Sequence, residues 1–109
     1  RETSISVSNA IRYIEENYKN ELSLEIVANA IFISPSYLSG LFKQSIGMTF
    51  VDYIHTVRTE KAKNYLANVS LRNCDIAENV GYACEKYFAQ VFKKYTGTTP
   101  SQYREQLHK

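Results

Sequence analysis

The side chains with the most evident chemistry are lysines and glutamines that recur in two similar segments of the chain. The first segment holds Lys43 and Gln44, and the second holds Gln90, Lys93 and Lys94. A lysine ammonium group binds phosphate oxygens or guanine, and a glutamine amide offers adenine a donor and an acceptor together. Taken singly, each lysine is typical of a solvated protein surface. Their repetition favours a surface that binds nucleic acid.

These side chains belong to a repeat. Residues 34–54 realign on residues 84–104 with an offset of fifty, and six residue pairs are identical. The identical pairs are Tyr37/Tyr87, Phe42/Phe92, Lys43/Lys93, Gly47/Gly97, Thr49/Thr99 and Tyr53/Tyr103. Upstream, Ala28 matches Ala77 with an offset of forty-nine, which we attribute to a one-residue difference in a turn. A helix with a buried Ala, a tight turn and a second apolar-faced helix are typical of a helix-turn-helix, here present twice.

Hydrophobic periodicity and capping residues predict an all-α fold of seven helices with no strand. The expected helices cover residues 7–18, 24–31, 35–45, 50–67, 73–80, 85–95 and 101–107. Ser4, Ser6 or Ser8 is expected to cap the first helix, and Ser34 followed by Pro35 starts the third. We therefore expect two helix-turn-helix lobes joined by a long linker helix. The lobes are residues 1–48 and 68–109, and the linker is residues 49–67.

Positive charge accompanies the repeated segments. Thirteen basic and eleven acidic residues give a net charge of only +2, which is weak evidence for a polyanionic partner. Residues 1–33 hold three basic and five acidic side chains, whereas residues 34–70 and 71–109 each carry a net charge of +2. The charge distribution is therefore more informative than the total.

The outward faces of helices 3 and 6 are the candidate interface, because Leu38, Leu41, Phe88 and Val91 fill the predicted cores. The outward residues are Ser36, Ser39, Gly40, Lys43 and Gln44 on helix 3, and Glu85, Lys86, Ala89, Gln90, Lys93 and Lys94 on helix 6. Tyr37 and Tyr87, at the helix starts, are interpreted as mainly structural.

Two of these residues complicate the interface. Gly40 inside a helix costs roughly 1 kcal/mol against alanine, so it either permits close approach to DNA or marks a half that reads few bases. Glu85 at a helix start repels phosphate unless it caps the helix or accepts a hydrogen bond from cytosine N4. A favourable first-turn acid is an equally good interpretation of Glu85.

The sequence offers no basis for an enzyme, a metal site or a cofactor. Cys74 and Cys84 lack a CxxC spacing and are interpreted as free thiols. His55 and His108 have no acidic or cysteine neighbours at ligand spacing, and no catalytic triad is indicated. No run reaches the roughly 18 apolar residues of a membrane span, and no signal peptide is present, so we expect a cytoplasmic protein.

The motifs of this chain resemble those of the AraC/XylS family of bacterial transcription regulators. They are LSLEIVA (22–28), SPSYLSGLFK (34–43), RTEKAKNYL (58–66), DIAENVGY (75–82) and YFAQVFKKYTGTTPSQYR (87–104). The resemblance implies two homeodomain-like lobes with helices 3 and 6 in successive major-groove segments, roughly 34 Å apart. It places base-reading positions at Ser36, Ser39, Gly40, Glu85, Lys86, Ala89 and Gln90.

The chain departs from the family pattern at two positions. Family members often carry arginine where Gly40 stands, which weakens the expected guanine readout by the first lobe. The usual turn glycine is present as Gly81, but Phe32 replaces it in the first motif, which suggests a different turn there.

More narrowly, the chain is similar to the output domain of YesN-type two-component response regulators. Because it begins at Arg1 and its only methionine is Met48, we expect it to be a piece of a longer protein with an upstream receiver or sensor domain. The expected function is sequence-specific binding of double-stranded DNA in transcription regulation, with RNA polymerase as a possible further partner. The alternative is a helical protein-interaction module with weak or no DNA affinity, which Gly40, Glu85 and the small net charge favour.

Overall fold

A computed structural model describes residues 2–109 as seven α-helices without a strand. The helices are α1 (Glu2–Asn17), α2 (Leu24–Ala30), α3 (Pro35–Leu41), α4 (Phe50–Leu66), α5 (Asn73–Asn79), α6 (Glu85–Thr96) and α7 (Pro100–Leu107). A π-helical turn, Phe42–Ile46, continues α3. Arg1, which the sequence assigned to the first lobe, lies outside the described residues. The predicted all-α fold is confirmed.

Helix α1 begins earlier than predicted. It starts at Glu2, so Ser4, Ser6 and Ser8 lie inside the helix and the expectation that one of them caps it is wrong. Residues 3–5 are exposed, so packing does not account for the extension. Once a helix exists, each further residue adds one backbone hydrogen bond, and this local gain outweighs the preference of serine for a helix end.

The chain divides into two compact units between Ile54 and His55. The division falls inside α4, which is the predicted linker helix. The first unit therefore contains α1, α2, α3 and the start of α4, and the second contains the rest of α4 with α5, α6 and α7.

The core of the first unit forms where α3 packs against α2 and the start of α4. Val27, Ala28 and Leu38 are fully buried. The ring of Phe42 is 1% exposed and meets Phe50 edge-on, with centroids 5.4 Å apart and planes at 89°. Edge-to-face contact of this kind adds to the stabilisation from buried area.

The core of the second unit follows the same pattern. Ile76 and Phe88 are fully buried, as is Phe92, the repeat counterpart of Phe42. The Phe92 ring packs against Phe88 and against Tyr103 of α7, with centroid separations of 5.8 Å in both cases. The repeat in sequence is therefore a repeat in packing.

The turns between the paired helices differ in length but share one backbone feature. Four residues separate α2 from α3 and five separate α5 from α6, which confirms the expected one-residue difference. Phe32 has φ 64 and donates its N–H to the Asn29 carbonyl, and Gly81 has φ 102 and donates to the Glu78 carbonyl. Phe32 thus adopts the same left-handed conformation as Gly81 despite its side chain, although the turn around it is one residue shorter.

Phe32→Gly tests whether the first turn stores strain. The Phe32 side chain is 94% exposed, so little packing offsets its backbone conformation. Glycine removes a steric cost of about 1–2 kcal/mol but loses about 0.5–1 kcal/mol more chain entropy on folding. We expect the free energy of unfolding, measured in urea, to stay constant or rise by up to about 1 kcal/mol.

Gly81→Ala is the matched control in the second unit. It places a Cβ at φ 102 and should lower the free energy of unfolding by about 1–2 kcal/mol. A clear loss of stability in Phe32→Gly would contradict the strain argument and show that the exposed ring makes stabilising contacts.

Candidate nucleic-acid interface

The first turns of α3 and α6 are fixed by equivalent caps. The Ser34 hydroxyl accepts a hydrogen bond from the Tyr37 N–H at 3.1 Å, and Pro35 occupies the first helical turn. In α6 the thiol sulfur of Cys84 accepts from the Tyr87 N–H at 3.3 Å. Both caps satisfy a backbone N–H that a helix start leaves without a partner.

Burial of one face leaves the opposite face of each helix available. Leu38 and Leu41 are buried on α3, and Phe88, Val91 and Phe92 are buried on α6. With 3.6 residues per turn, the positions two residues before and after Leu38 or Phe88 fall on the far side. Nine of the eleven predicted interface residues are exposed, namely Ser36, Gly40, Lys43, Gln44, Glu85, Lys86, Gln90, Lys93 and Lys94. Ser39 and Ala89 are half-buried.

The two helices differ at their carboxyl ends. The Gly47 N–H donates to the Phe42 carbonyl, five residues back, at 3.0 Å, whereas the Gly97 N–H donates to the Lys93 carbonyl, four back, at 2.9 Å. The prediction of an α-helix as far as Ser45 is therefore wrong, since α3 ends at Leu41. A π-helical turn has more residues per turn than an α-helix. Lys43 and Gln44 are therefore rotated about the helix axis relative to Lys93 and Lys94, their counterparts on α6.

Charge is concentrated on α6. Its outward face carries Lys86, Lys93 and Lys94 against one acid, Glu85, whereas the outward face of α3 and its π-helical turn carries a single lysine, Lys43. Glu85 lies in the first turn of α6, where the helix dipole favours a carboxylate, but the side-chain cap is Cys84. The α6 face is therefore the better equipped of the two for contact with phosphates and base edges.

Comparison with known proteins assigns these features to a family. A helix-turn-helix domain family matches residues 27–106, which include both repeated segments. The chain belongs to the AraC/XylS family. It is accordingly an AraC-type helix-turn-helix DNA-binding domain of the kind found in transcriptional regulators.

Relatives of this AraC-type domain include transcriptional regulators. The HTH-type transcriptional regulator YijO of Escherichia coli is 41% identical over 100 residues, which cover 91% of the chain and 35% of YijO. The transcriptional regulatory protein YesN of Bacillus subtilis is 42% identical over 105 residues, which cover 93% of the chain and 28% of YesN. The chain thus spans about a third of the length of these relatives.

A solved structure shows the same architecture. The C-terminal domain of AraT, a response regulator from Geobacillus stearothermophilus, is 39% identical and superimposes with a TM-score of 0.89. The match covers 93% of the present chain and 84% of the AraT chain. The fold of the AraC-type domain is therefore shared with a response-regulator domain.

Gly40 of the AraC-type domain is not required by packing. A Cβ built on it would meet no atom within 4 Å, and Gly40 has no left-handed φ. Its backbone conformation and surroundings would therefore accept the arginine that family members often carry. The absence of a side chain at Gly40 therefore affects the contacts that α3 can make with a partner and not the packing of α3.

Cys74 and Cys84 are free and exposed thiols. Among residues 2–109, no group of three His, Cys, Asp or Glu side chains is placed to hold a metal ion. In the described part of the chain, no single helix is long and apolar enough to cross a membrane. Only α2 combined with α3 and its π-helical turn, across a bend of 99°, meets that test, and it does so by length and composition.

Sequence analysis assigned no role to one cluster of side chains that the structure brings together. Nδ1 of His55 in α4 lies 2.6 Å from the hydroxyl oxygen of Tyr82, which precedes α6. The guanidinium of Arg58 lies 5.3 Å from the centre of the same tyrosine ring. In the sequence, the only signal of this cluster was the family motif that contains Tyr82. His55 lies 27 residues away, so no local pattern connects the two.

Proposed function

We propose that the domain binds a specific site in double-stranded DNA, with α3 and α6 entering successive major-groove segments. The observation that carries the proposal is the pair of equivalently capped helices, whose outward lysine, glutamine and serine side chains are largely exposed. The family match to a helix-turn-helix domain supports the same conclusion.

Helix α6 is proposed as the main reader of bases. Gln90 and Lys86 lie on its exposed face, where an amide pairs with adenine and an ammonium group reaches guanine. Ala89 is suited to a thymine methyl group, and Glu85 to cytosine N4. Lys93 and Lys94, one turn further along, are assigned to phosphates.

Helix α3 is proposed to contribute more to position than to sequence. Ser36 and Ser39 are short donors and acceptors, Gly40 has no side chain, and Lys43 and Gln44 lie in the π-helical turn. Contacts of this kind hold a protein in register on the DNA backbone but discriminate little among bases. The first unit would then anchor the second.

We also propose that the domain is the output domain of a two-component response regulator. Support comes from its similarity to the C-terminal domain of AraT, a response regulator, and to YesN. In such a protein an upstream receiver domain controls DNA binding, and promoter-bound protein contacts RNA polymerase. An upstream sensor domain in place of the receiver domain is the alternative.

Selection of bound sites from a random pool of DNA duplexes tests the proposal. We expect a bipartite site with half-sites about one helical turn apart and more information in one half. The logarithm of the binding constant should fall with the logarithm of salt concentration, with a slope near −0.9 for each phosphate contacted. No enrichment and a shallow salt dependence would favour a protein-interaction module instead, for which the acid Glu85 on the α6 face is the supporting feature.

Gln90→Ala and Lys93→Ala separate base reading from phosphate binding on one helix. Loss of the amide should reduce discrimination at one or two base pairs by about 1–3 kcal/mol. Loss of the ammonium group should weaken binding to all sequences alike and reduce the salt slope by about 1. Fluorescence anisotropy with the selected site and a scrambled duplex measures both. Equal losses on the two duplexes for Gln90→Ala would remove Gln90 from the base-reading set.

Gly40→Arg tests whether α3 lies in a groove. The open space around Gly40 accommodates the side chain, and an arginine there should raise DNA affinity about tenfold or more through phosphate or guanine contacts. Gly40→Ala is the control, because it gains about 1 kcal/mol of helix stability without a charge and should leave affinity unchanged. Unchanged affinity in both variants would place residue 40 away from DNA.

A further inference from the structure

A buried group of polar side chains connects α4 to the turn that precedes α6. Tyr82 is 4% exposed and Arg58 is 9% exposed. Nδ1 of His55 lies 2.6 Å from the Tyr82 hydroxyl oxygen, and the two rings stack with centroids 5.7 Å apart and planes at 9°. Arg58 lies over the same ring and hydrogen-bonds with its hydroxyl. The Tyr82 ring is therefore restrained by the parallel His55 ring, by the hydrogen bonds at its hydroxyl and by the Arg58 guanidinium over its face.

The hydrogen bonds in this group meet at the Tyr82 oxygen. A guanidinium can only donate, so the Tyr82 oxygen accepts from Arg58, and it also forms a hydrogen bond with Nδ1 of His55. Burial raises the pKa of Tyr82 far above its ordinary value, so the hydroxyl keeps its proton near neutral pH. A tyrosine hydroxyl that donates to Nδ1 requires His55 to carry its proton on Nε2. We call this series of hydrogen-bonded side chains, from Arg58 through Tyr82 to His55, the hydroxyl chain.

The ring that the hydroxyl chain holds contacts both helices of the second helix-turn-helix. The Tyr82 N–H donates to the Ala77 carbonyl of α5 at 2.8 Å. Its ring lies 5.7 Å, centroid to centroid, from Tyr87 and also from Phe88, which are both in the first turn of α6. Displacement of this ring would therefore shift the start of α6 and the side chains that follow it.

The first unit has no counterpart of this arrangement at the matched position. With the offset of forty-nine that holds in the turn, Tyr82 corresponds to Ile33, whose N–H donates to the Ala28 carbonyl at 3.0 Å. The backbone contact is therefore the same, but an isoleucine side chain cannot take part in a hydroxyl chain. The device belongs to the unit that carries more of the outward lysines.

We propose that His55 and Arg58 are positioning residues for α6, which hold Tyr82 and thereby align the base-reading side chains with the DNA. Neither residue belongs to α6. Base readout by hydrogen bonds requires placement to within about 0.5 Å, which a ring fixed on three sides supplies. The inference rests on the proposed function, since it concerns how accurately a DNA-reading helix is held.

Tyr82→Phe tests the proposal because it keeps the ring contacts with Tyr87 and Phe88 and removes only the hydroxyl. The ratio of affinities for the selected site and a scrambled duplex should fall about tenfold, which equals the contribution of one good base contact. Affinity for the scrambled duplex and its salt slope should not change. Tyr103→Phe is the control, because its ring packs against Phe92 of the same helix and its ratio should remain that of the wild type.

Substitutions of His55 supply a rescue that a purely structural role would not show. Asparagine offers a carbonyl oxygen near the position of Nδ1, so His55→Asn should retain most of the discrimination ratio, whereas His55→Ala should lose it as Tyr82→Phe does. Nitrogen-15 NMR should show the His55 proton on Nε2 in the wild type and a changed Nδ1 signal in Tyr82→Phe. Urea denaturation of every variant identifies those that remain fully folded during the binding assays.

The outcomes separate this inference from the proposed function. A wild-type domain that does not discriminate between the duplexes would overturn the proposed function and this inference with it. A discriminating wild type with an unchanged ratio in Tyr82→Phe would overturn the positioning role alone. The same holds if Tyr82→Phe lowers stability without changing the ratio, because the hydroxyl chain would then only stabilise the fold.

Discussion

The close contact between the two helices of each helix-turn-helix is the constraint on which the rest of the structure depends. Ala28 and Ala77 are almost completely buried, and their carbonyls accept the turn N–H groups of Ile33 and Tyr82. A larger side chain at either alanine would separate the helices and break this hydrogen bond, because a packed core has no room for it. The caps, the left-handed turn residue and the outward face of the second helix all follow from this contact.

Within this shared frame the two units differ in local backbone geometry. The first unit combines a strained Phe32 turn with a π-helical end to α3. The second unit uses Gly81 in the turn, and α6 remains α-helical as far as Thr96. A helix with regular geometry and a fixed start presents its side chains at defined positions, which base readout requires, whereas phosphate contacts tolerate more variation. The asymmetry in structure therefore parallels the asymmetry in charge.

Much of the fold could be predicted from sequence because local signals determine it. Ser34-Pro35 and Thr99-Pro100 start helices through a side-chain cap and a fixed φ, and the 3.6-residue period separates buried from outward residues. The early start of α1 was missed because an existing helix extends through local hydrogen bonds, even across serines that also favour helix ends. The π-helical turn was missed because α- and π-helices draw on the same residue types. The helical period also predicted that Lys86 and Gln90 are exposed, because exposure on a helix depends on local sequence. It did not predict the hydroxyl chain.

The hydroxyl chain could not be predicted, because His55 and Arg58 are distant from Tyr82 in sequence and none of the three residues belongs to a recognisable site motif. His55 belongs to no recognisable metal or catalytic motif, and Arg58 is one of several cations in α4. A buried guanidinium costs free energy through lost hydration, and apolar residues of similar size often stabilise a core as well or better. What a hydroxyl chain supplies in return is direction, since its donors and acceptors satisfy one orientation of Tyr82 and penalise others. We therefore interpret the buried polar group as a device for accurate placement of α6 rather than for stability.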